Sequence, residues 1–188
     1  MNEIQLIRGQ LVTERQHASA VASACASALG RIDVVGPTSG SPLEEFRQAC
    51  IEYLVCVLTW FEERDQRLIE LWHERRAPGD AERRALDDLL GSRGRSREAL
   101  EKLAAALAST SEPSAGRGAQ ESWQDFAQFF NGVWRARRDA IDSLLAPNNR
   151  ASDWRHFGGI DADSILEERS RYARVHATLP AGASLGAS

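Results

Sequence analysis

The sequence predicts an all-α protein, an up-down four-helix bundle with an additional C-terminal helix. The chain contains 28 Ala but only 21 Val, Ile and Thr together, and this balance favours helices over sheets. Apolar residues recur at spacings of three, four and seven, whereas no segment alternates with period two for long enough to indicate a sheet. Gly and Pro stand between the periodic segments, where they end helices. Four long periodic segments and a shorter last one therefore indicate the bundle.

Helix starts and breakers set the bounds of the predicted elements. The predicted helices span about 2–30, 42–76, 80–109 with a break near 91–95, 121–146 and 161–177. Gly30 ends the first of them. Ser41 and Glu44 can form a capping box at the start of the second, with Pro42 at its first position. Residues 110–120 are rich in helix breakers and are predicted to form a loop before the fourth.

Length and composition indicate a single domain. The 188 residues are 43% apolar and 27% charged, which suffices for one core and is far from a disordered composition. We expect residues 1–178 to form this domain and residues 179–188 to form a flexible tail.

The charge and the cysteines exclude several classes of protein. A net charge of -4 argues against a nucleic-acid partner, and no apolar run reaches the roughly 18 residues that a membrane span needs. Cys25, Cys50 and Cys56 are odd in number and lack a Cys-x-x-Cys spacing. We therefore expect buried, reduced thiols rather than a disulfide scaffold or a zinc site. These features predict a cytoplasmic protein that binds neither nucleic acid nor membrane.

Two of the predicted helices share a short pattern at their centres. Each has a Trp, then an Arg four residues later and an Asp directly after that Arg. A spacing of four places the Trp and the Arg on one helical face, with the Asp about a quarter-turn aside. We expect the Arg–Asp pairs to meet between the helices, where the charges offset one another. The residues in this repeat are Trp60, Arg64, Asp65, Trp134, Arg138 and Asp139.

In the order of its helices and the spacing of this repeat, the chain resembles the hemerythrin-like (HHE cation-binding) family, whose members are four-helix bundles that hold two irons. The family pattern has one His on the first helix, His-x3-Glu on the second, two His on the third and His-x4-Asp on the fourth. His17 stands where the first ligand would be. Trp60 and Arg64 replace the His and Glu of the second helix. On the fourth helix Trp134 replaces the His, while Asp139 keeps the acidic position.

The resemblance implies the bundle but not the iron site. It covers about residues 8–145, and the third helix, over 95–108, contains no His. Trp offers no lone pair to a metal and Arg is a permanent cation, so the substituted positions would repel a dication. We therefore predict a divergent member without a cofactor, a non-enzymatic domain that binds a small molecule or has a regulatory role. The candidate residues for a pocket that takes an anionic or aromatic compound are His17, Trp60, Arg64, Asp65, Trp134, Arg138 and Asp139.

Two alternatives stay open at this point. The first is an iron-binding, oxygen-binding or oxidoreductase protein with atypical ligands, drawn from His17, Asp65 and Asp139. The second is a helical scaffold that forms a homodimer or docks a protein partner through its helices. The sequence identifies no catalytic residue, because it has neither a phosphate-binding Gly loop nor a Gly-x-Ser-x-Gly motif.

Overall fold

The computed structural model is helical throughout the parts of the chain that it describes. These parts are residues 2–29, 42–75, 78–108, 115–145, 150–159 and 162–185. Their helices, in chain order, are α1 Glu3–Leu29, α2 Pro42–Arg75, α3 Asp80–Ser92, α4 Arg95–Ala108, α5 Ala115–Leu145, α6 Ala151–Gly158 and α7 Ala162–Ala177. No strand occurs in these residues, so the all-α class is confirmed, whereas the four-helix up-down topology stays a prediction. None of these helices combines the length and the apolar character that crossing a membrane requires.

The break predicted near residues 91–95 divides the third predicted helix into α3 and α4. Gly94 adopts a φ of 74°, in the left-handed region that glycine enters without a steric penalty. The backbone N–H of Arg93 makes the last helical hydrogen bond of α3, to the carbonyl oxygen of Leu89 at 3.1 Å, and Arg93 itself has extended backbone angles. The N–H of Glu98 donates to the carbonyl of Gly94 at 2.7 Å, which starts α4 directly after the turn.

Three parts of the chain differ from the sequence-based prediction, and the first is α6, which lies over residues 151–158 where no helix is predicted. α5 begins at Ala115, so residues 115–120 are helical although a loop is predicted over 110–120; residues 109–114 lie outside the described part of the chain. Each Gly costs a helix about 1 kcal/mol, but elongating a helix that is already packed is cooperative and outweighs that penalty. The flexible tail predicted over 179–188 is not seen over residues 179–185, because Leu185 is buried against the core, with Leu179 and Ala183 packed beside it; residues 186–188 lie outside the described part of the chain.

Two apolar clusters form the interior, one towards each end of the long helices. α1 packs against α5, α2 and α6, while α3 and α4 line α5 and α7 lies on α2. The large residues of the first cluster include Phe46, Tyr53, Leu54, Phe61, Trp123, Phe126, Phe130 and Trp134. Those of the second cluster include Leu68, Trp72, Leu89, Leu144, Trp154 and Phe157. The prediction for the cysteines is confirmed, since Cys25, Cys50 and Cys56 are buried free thiols.

Candidate functional site

A layer of charged side chains separates the two apolar clusters. On α2 this layer lies between Phe61 of the first cluster and Leu68 of the second, and α1 and α5 contribute at the corresponding points. Because a buried charge is costly unless it is paired, the layer can persist only if its cations and anions offset one another. Its members are Glu14, Arg64, Asp65 and Arg137, none of them more than 6% exposed.

The first pair in the layer joins α1 to α2. Arg64 donates through Nη1 to Oε2 of Glu14 at 2.5 Å and through Nη2 to Oε1 at 3.2 Å, a bidentate contact. Gln10 adds a donor to the same carboxylate, with its Nε2 at 3.1 Å from Oε1. A fully buried carboxylate therefore has both of its oxygens occupied by donors.

The second pair joins α2 to α5. Arg137 donates through Nε to Oδ2 of Asp65 at 2.7 Å, and its Nη2 lies 2.6 Å from Oδ1. The same guanidinium lies over the rings of Phe61 and Trp134, at 4.9 and 5.1 Å from their centroids. Burial raises the pKa of Asp65 above its ordinary value, and the neighbouring Arg137 opposes this rise. Asp65 and Arg137 thus connect two long helices, α2 and α5, at a point beyond the middle of each.

The prediction that places Arg138 and Asp139 in the interior is wrong. Their side chains are 51% and 61% exposed and form an ion pair with each other at 2.9 Å. Arg137 takes the inward position instead, because it lies three residues after Trp134 and four before Ile141, on the stripe that α5 buries. The Trp-Arg-Asp repeat therefore does not carry the same geometry in α2 and α5.

His17 belongs to a different polar contact, between α1, α2 and α7. Its Nδ1 lies 2.8 Å from Oε1 of Glu168, and Tyr53 donates its hydroxyl to that same oxygen at 2.8 Å. The His17 ring stacks on Tyr172 with centroids 3.8 Å apart. Burial, and then the Glu168 carboxylate, raise the pKa of Tyr53. Glu168, only 1% exposed, receives both contacts and so ties the C-terminal helix to the bundle.

Arg137 and Glu168 are not among the site residues that the sequence predicts, although the helical pattern weakly indicates that both are buried. Both stand at positions where the helical period expects an apolar residue: Glu168 lies four residues before Tyr172 and seven before Val175, which is fully buried. A charged residue on an apolar stripe indicates a buried partner on another helix. Trp60, in contrast, is half-buried and belongs to neither apolar cluster.

Next to the charged layer, a pocket of about 210 Å³ opens between α1, α5 and α6. The apolar residues that line it are aromatic and aliphatic, namely Phe61, Trp134, Trp154, Leu11, Val12 and Ile141. Among the described residues, its polar lining consists of four arginines and one acid, namely Arg8, Arg15, Arg137, Arg138 and Asp142. Of the residues that the sequence assigns to a pocket, Trp134 and Arg138 line this one.

The arginines of the pocket differ in what they already bind. Arg8 lies 3.3 Å from Asp142, with its guanidinium 4.7 Å from the centroid of the Trp154 ring. Arg137 and Arg138 are held by the acids described above. Arg15 is half-buried, and within the described ranges no residue forms a hydrogen bond or an ion pair with it.

The described residues do not assemble the metal ligands that the alternative hypothesis requires. His17 contacts Glu168, Asp65 is bound by Arg137, and Asp139 is on the surface, so these three do not converge. Across the same residues, no group of three or more His, Cys, Asp or Glu is placed to hold a metal ion. The acids nearest the centre have guanidinium partners, and this donor set does not fit a pair of irons.

Comparison with protein-family models, with curated proteins and with solved structures found no match to this chain. The resemblance to the hemerythrin-like family therefore stays a hypothesis, based on helix order and spacing.

Proposed function

We propose that the chain is a non-enzymatic, small-molecule-binding domain, built as a hemerythrin-like bundle in which buried ion pairs stand in place of the di-iron site. The observation that carries the proposal is the pocket between α1, α5 and α6, which combines aromatic rings with arginines. Apolar clefts that contain a few polar groups are the usual form of a ligand site. At about 210 Å³ the pocket is smaller than the roughly 300–1,000 Å³ of sites for drug-sized compounds, which favours a small ligand.

The position of the charged layer supports a preformed site. Arg137, Phe61 and Trp134 form part of the pocket wall, and Arg137 is at the same time bound to Asp65. Phe61 and Trp134 meet edge to face, with centroids 4.2 Å apart and an interplanar angle of 82°. A wall held by a buried ion pair and by packed rings needs little ordering when a ligand binds, which favours affinity.

The bundle arrangement itself is supported by the order in which the helices meet the two apolar clusters. Along α2 and along α5, the residues of the first cluster precede those of the second. Along α1 the order is the opposite, and the same holds for α3 followed by α4. Such alternation is what an up-down arrangement produces, with α3 and α4 together acting as the third helix. The scaffold alternative stays a prediction.

A fragment screen tests the proposed binding function. Purified chain is screened by thermal shift against small compounds that cover neutral, anionic and cationic chemistry. The variant Val12→Trp fills the pocket from an exposed position, and Leu90→Trp is its control, because Leu90 is similarly exposed on α3 but does not line the pocket. We expect hits that raise the melting temperature of the wild type and of the control but not of Val12→Trp. Hits that Val12→Trp binds equally well, or a screen without hits, would contradict the proposal.

A further inference from the structure

We propose that the ligand of this pocket is an aromatic carboxylate, whose carboxylate binds Arg15 and whose ring packs against Trp134. This inference rests on the proposed binding function and specifies its ligand class. The charge balance of the pocket, the aromatic wall and the cavity volume each support it independently.

The charge balance indicates an anion. The described residues that line the pocket include four arginines and one acid, and that acid, Asp142, already contacts Arg8. Arg15 is left without a partner among the residues that the structure describes, although it is half-buried. A guanidinium offers five N–H donors in a planar fork, and a half-buried cation gains when an anion replaces its lost hydration.

In the described part of the pocket lining, the single unpaired guanidinium of Arg15 favours a carboxylate over a phosphate. A carboxylate carries a single negative charge and can accept two parallel N–H donors from one guanidinium. A phosphate monoester carries nearly two charges at neutral pH and would require a second free cation. Arg8, Arg137 and Arg138 each have an acidic partner, so a single charge is the better match.

The aromatic residues of the lining favour a ring. Trp134 and Trp154 both line the cavity, and Phe61 holds Trp134 edge to face. Planar ligands stack or pack edge-on against such rings with an additional gain over simple area burial. A cavity of roughly 150 Å³ is enough for benzene. The pocket, at about 210 Å³, therefore accommodates one ring with a short acidic substituent.

Matched probes separate the charge from the ring. Binding of phenylacetate is measured by isothermal titration and by quenching of Trp fluorescence, since Trp134 and Trp154 lie in the wall. Phenylacetamide is the neutral analogue of the same shape, and hexanoate is a carboxylate without a ring. We expect phenylacetate to bind about 10-fold to 100-fold more tightly than phenylacetamide, because a charge-assisted contact is lost in the amide. We also expect it to bind more tightly than hexanoate.

Substitution of Arg15 tests the assigned contact. Arg15→Gln should weaken phenylacetate binding about 10-fold to 100-fold and leave phenylacetamide binding unchanged. Arg84→Gln is the control, because it makes the same change in net charge at an exposed position on α3 outside the pocket. If Arg15→Gln does not fold, the comparison of acid and amide on the wild-type chain decides the question alone.

The outcomes distinguish this inference from the proposed function. Equal binding of acid and amide, or unchanged phenylacetate binding by Arg15→Gln, overturns the carboxylate assignment. Equal or tighter binding of hexanoate overturns the aromatic assignment. If only neutral or cationic fragments bind, and Val12→Trp abolishes that binding, the proposed function holds while this inference fails. If no compound binds, both fail.

Discussion

At the residue scale, the main feature is that two consecutive arginines of α5 have different environments, since Arg137 is buried and Arg138 is exposed. Arg137 is 6% exposed and bound to Asp65, whereas the side chain of Arg138 is 51% exposed and pairs with Asp139. Successive residues of an α-helix are rotated by about 100°, so adjacent side chains with the same charge can have entirely different environments. The energetic consequence follows from burial, since a buried charge that loses its partner is far more costly than an exposed one.

We predict that Arg137→Met destabilises the protein by about 3–5 kcal/mol, because it leaves the carboxylate of Asp65 buried and unpaired. Arg138→Met is the matched control on the same helix and should cost about 0–1 kcal/mol. Urea unfolding, followed by circular dichroism, measures both. The double variant Asp65→Leu with Arg137→Met should recover most of the loss, because it removes both charges. Equal effects of the two single substitutions would show that the charged layer does not stabilise the bundle.

At the scale of the elements, single residues decide where helices divide and how they are held. The turn at Gly94 divides a periodic segment into α3 and α4, both of which pack against α5. α7 is held on the bundle by polar contacts as well as apolar ones, since Glu168 accepts from Tyr53 and contacts His17. A glycine that the backbone requires can be distinguished by substitution from a glycine that it merely tolerates.

We predict opposite effects for two glycine substitutions. Gly94→Ala should destabilise by about 1–2 kcal/mol, because the φ of 74° is strained for any residue with a Cβ. Gly132→Ala should stabilise by about 0.5–1 kcal/mol, because Gly132 is exposed within α5 and a Cβ there would meet no atom within 4 Å. Thermal melts of the two variants provide the comparison. A stabilising Gly94→Ala would mean that the turn between α3 and α4 is formed differently.

At the scale of the whole molecule, the sequence predicts the secondary structure better than it predicts the site. Helix periodicity and breakers are local properties, so the helical class, the break near Gly94 and the buried thiols can be inferred directly. The inward positions of Arg64 and Asp65 also follow from the helical period, because they lie three and four residues after the buried Phe61. The pairing of Arg64 with Glu14, 50 residues earlier in the chain, depends on how the helices pack and leaves no local signal.

The error at Arg138 has the same origin. The repeat in the sequence aligns Arg138 with Arg64, but a shift of one residue on α5 moves a side chain from the interior to the surface. The pocket is formed by α1, α5 and α6 around Phe61 of α2, and no contiguous motif specifies such a site. Trp134 and Arg138, which the sequence indicates as pocket residues, line this pocket, whereas His17, Arg64 and Asp65 do not.

The metal content of the purified chain tests the central claim most directly, because the buried acids Glu14 and Asp65 have guanidinium partners in place of metal ions. The chain is purified without chelators, and its iron and zinc are measured by elemental analysis alongside the visible absorption spectrum. We expect well under one metal ion per chain and no charge-transfer band. A stoichiometric pair of irons with charge-transfer absorption would contradict it, since Glu14 and Asp65 could not bind such ions while held by Arg64 and Arg137.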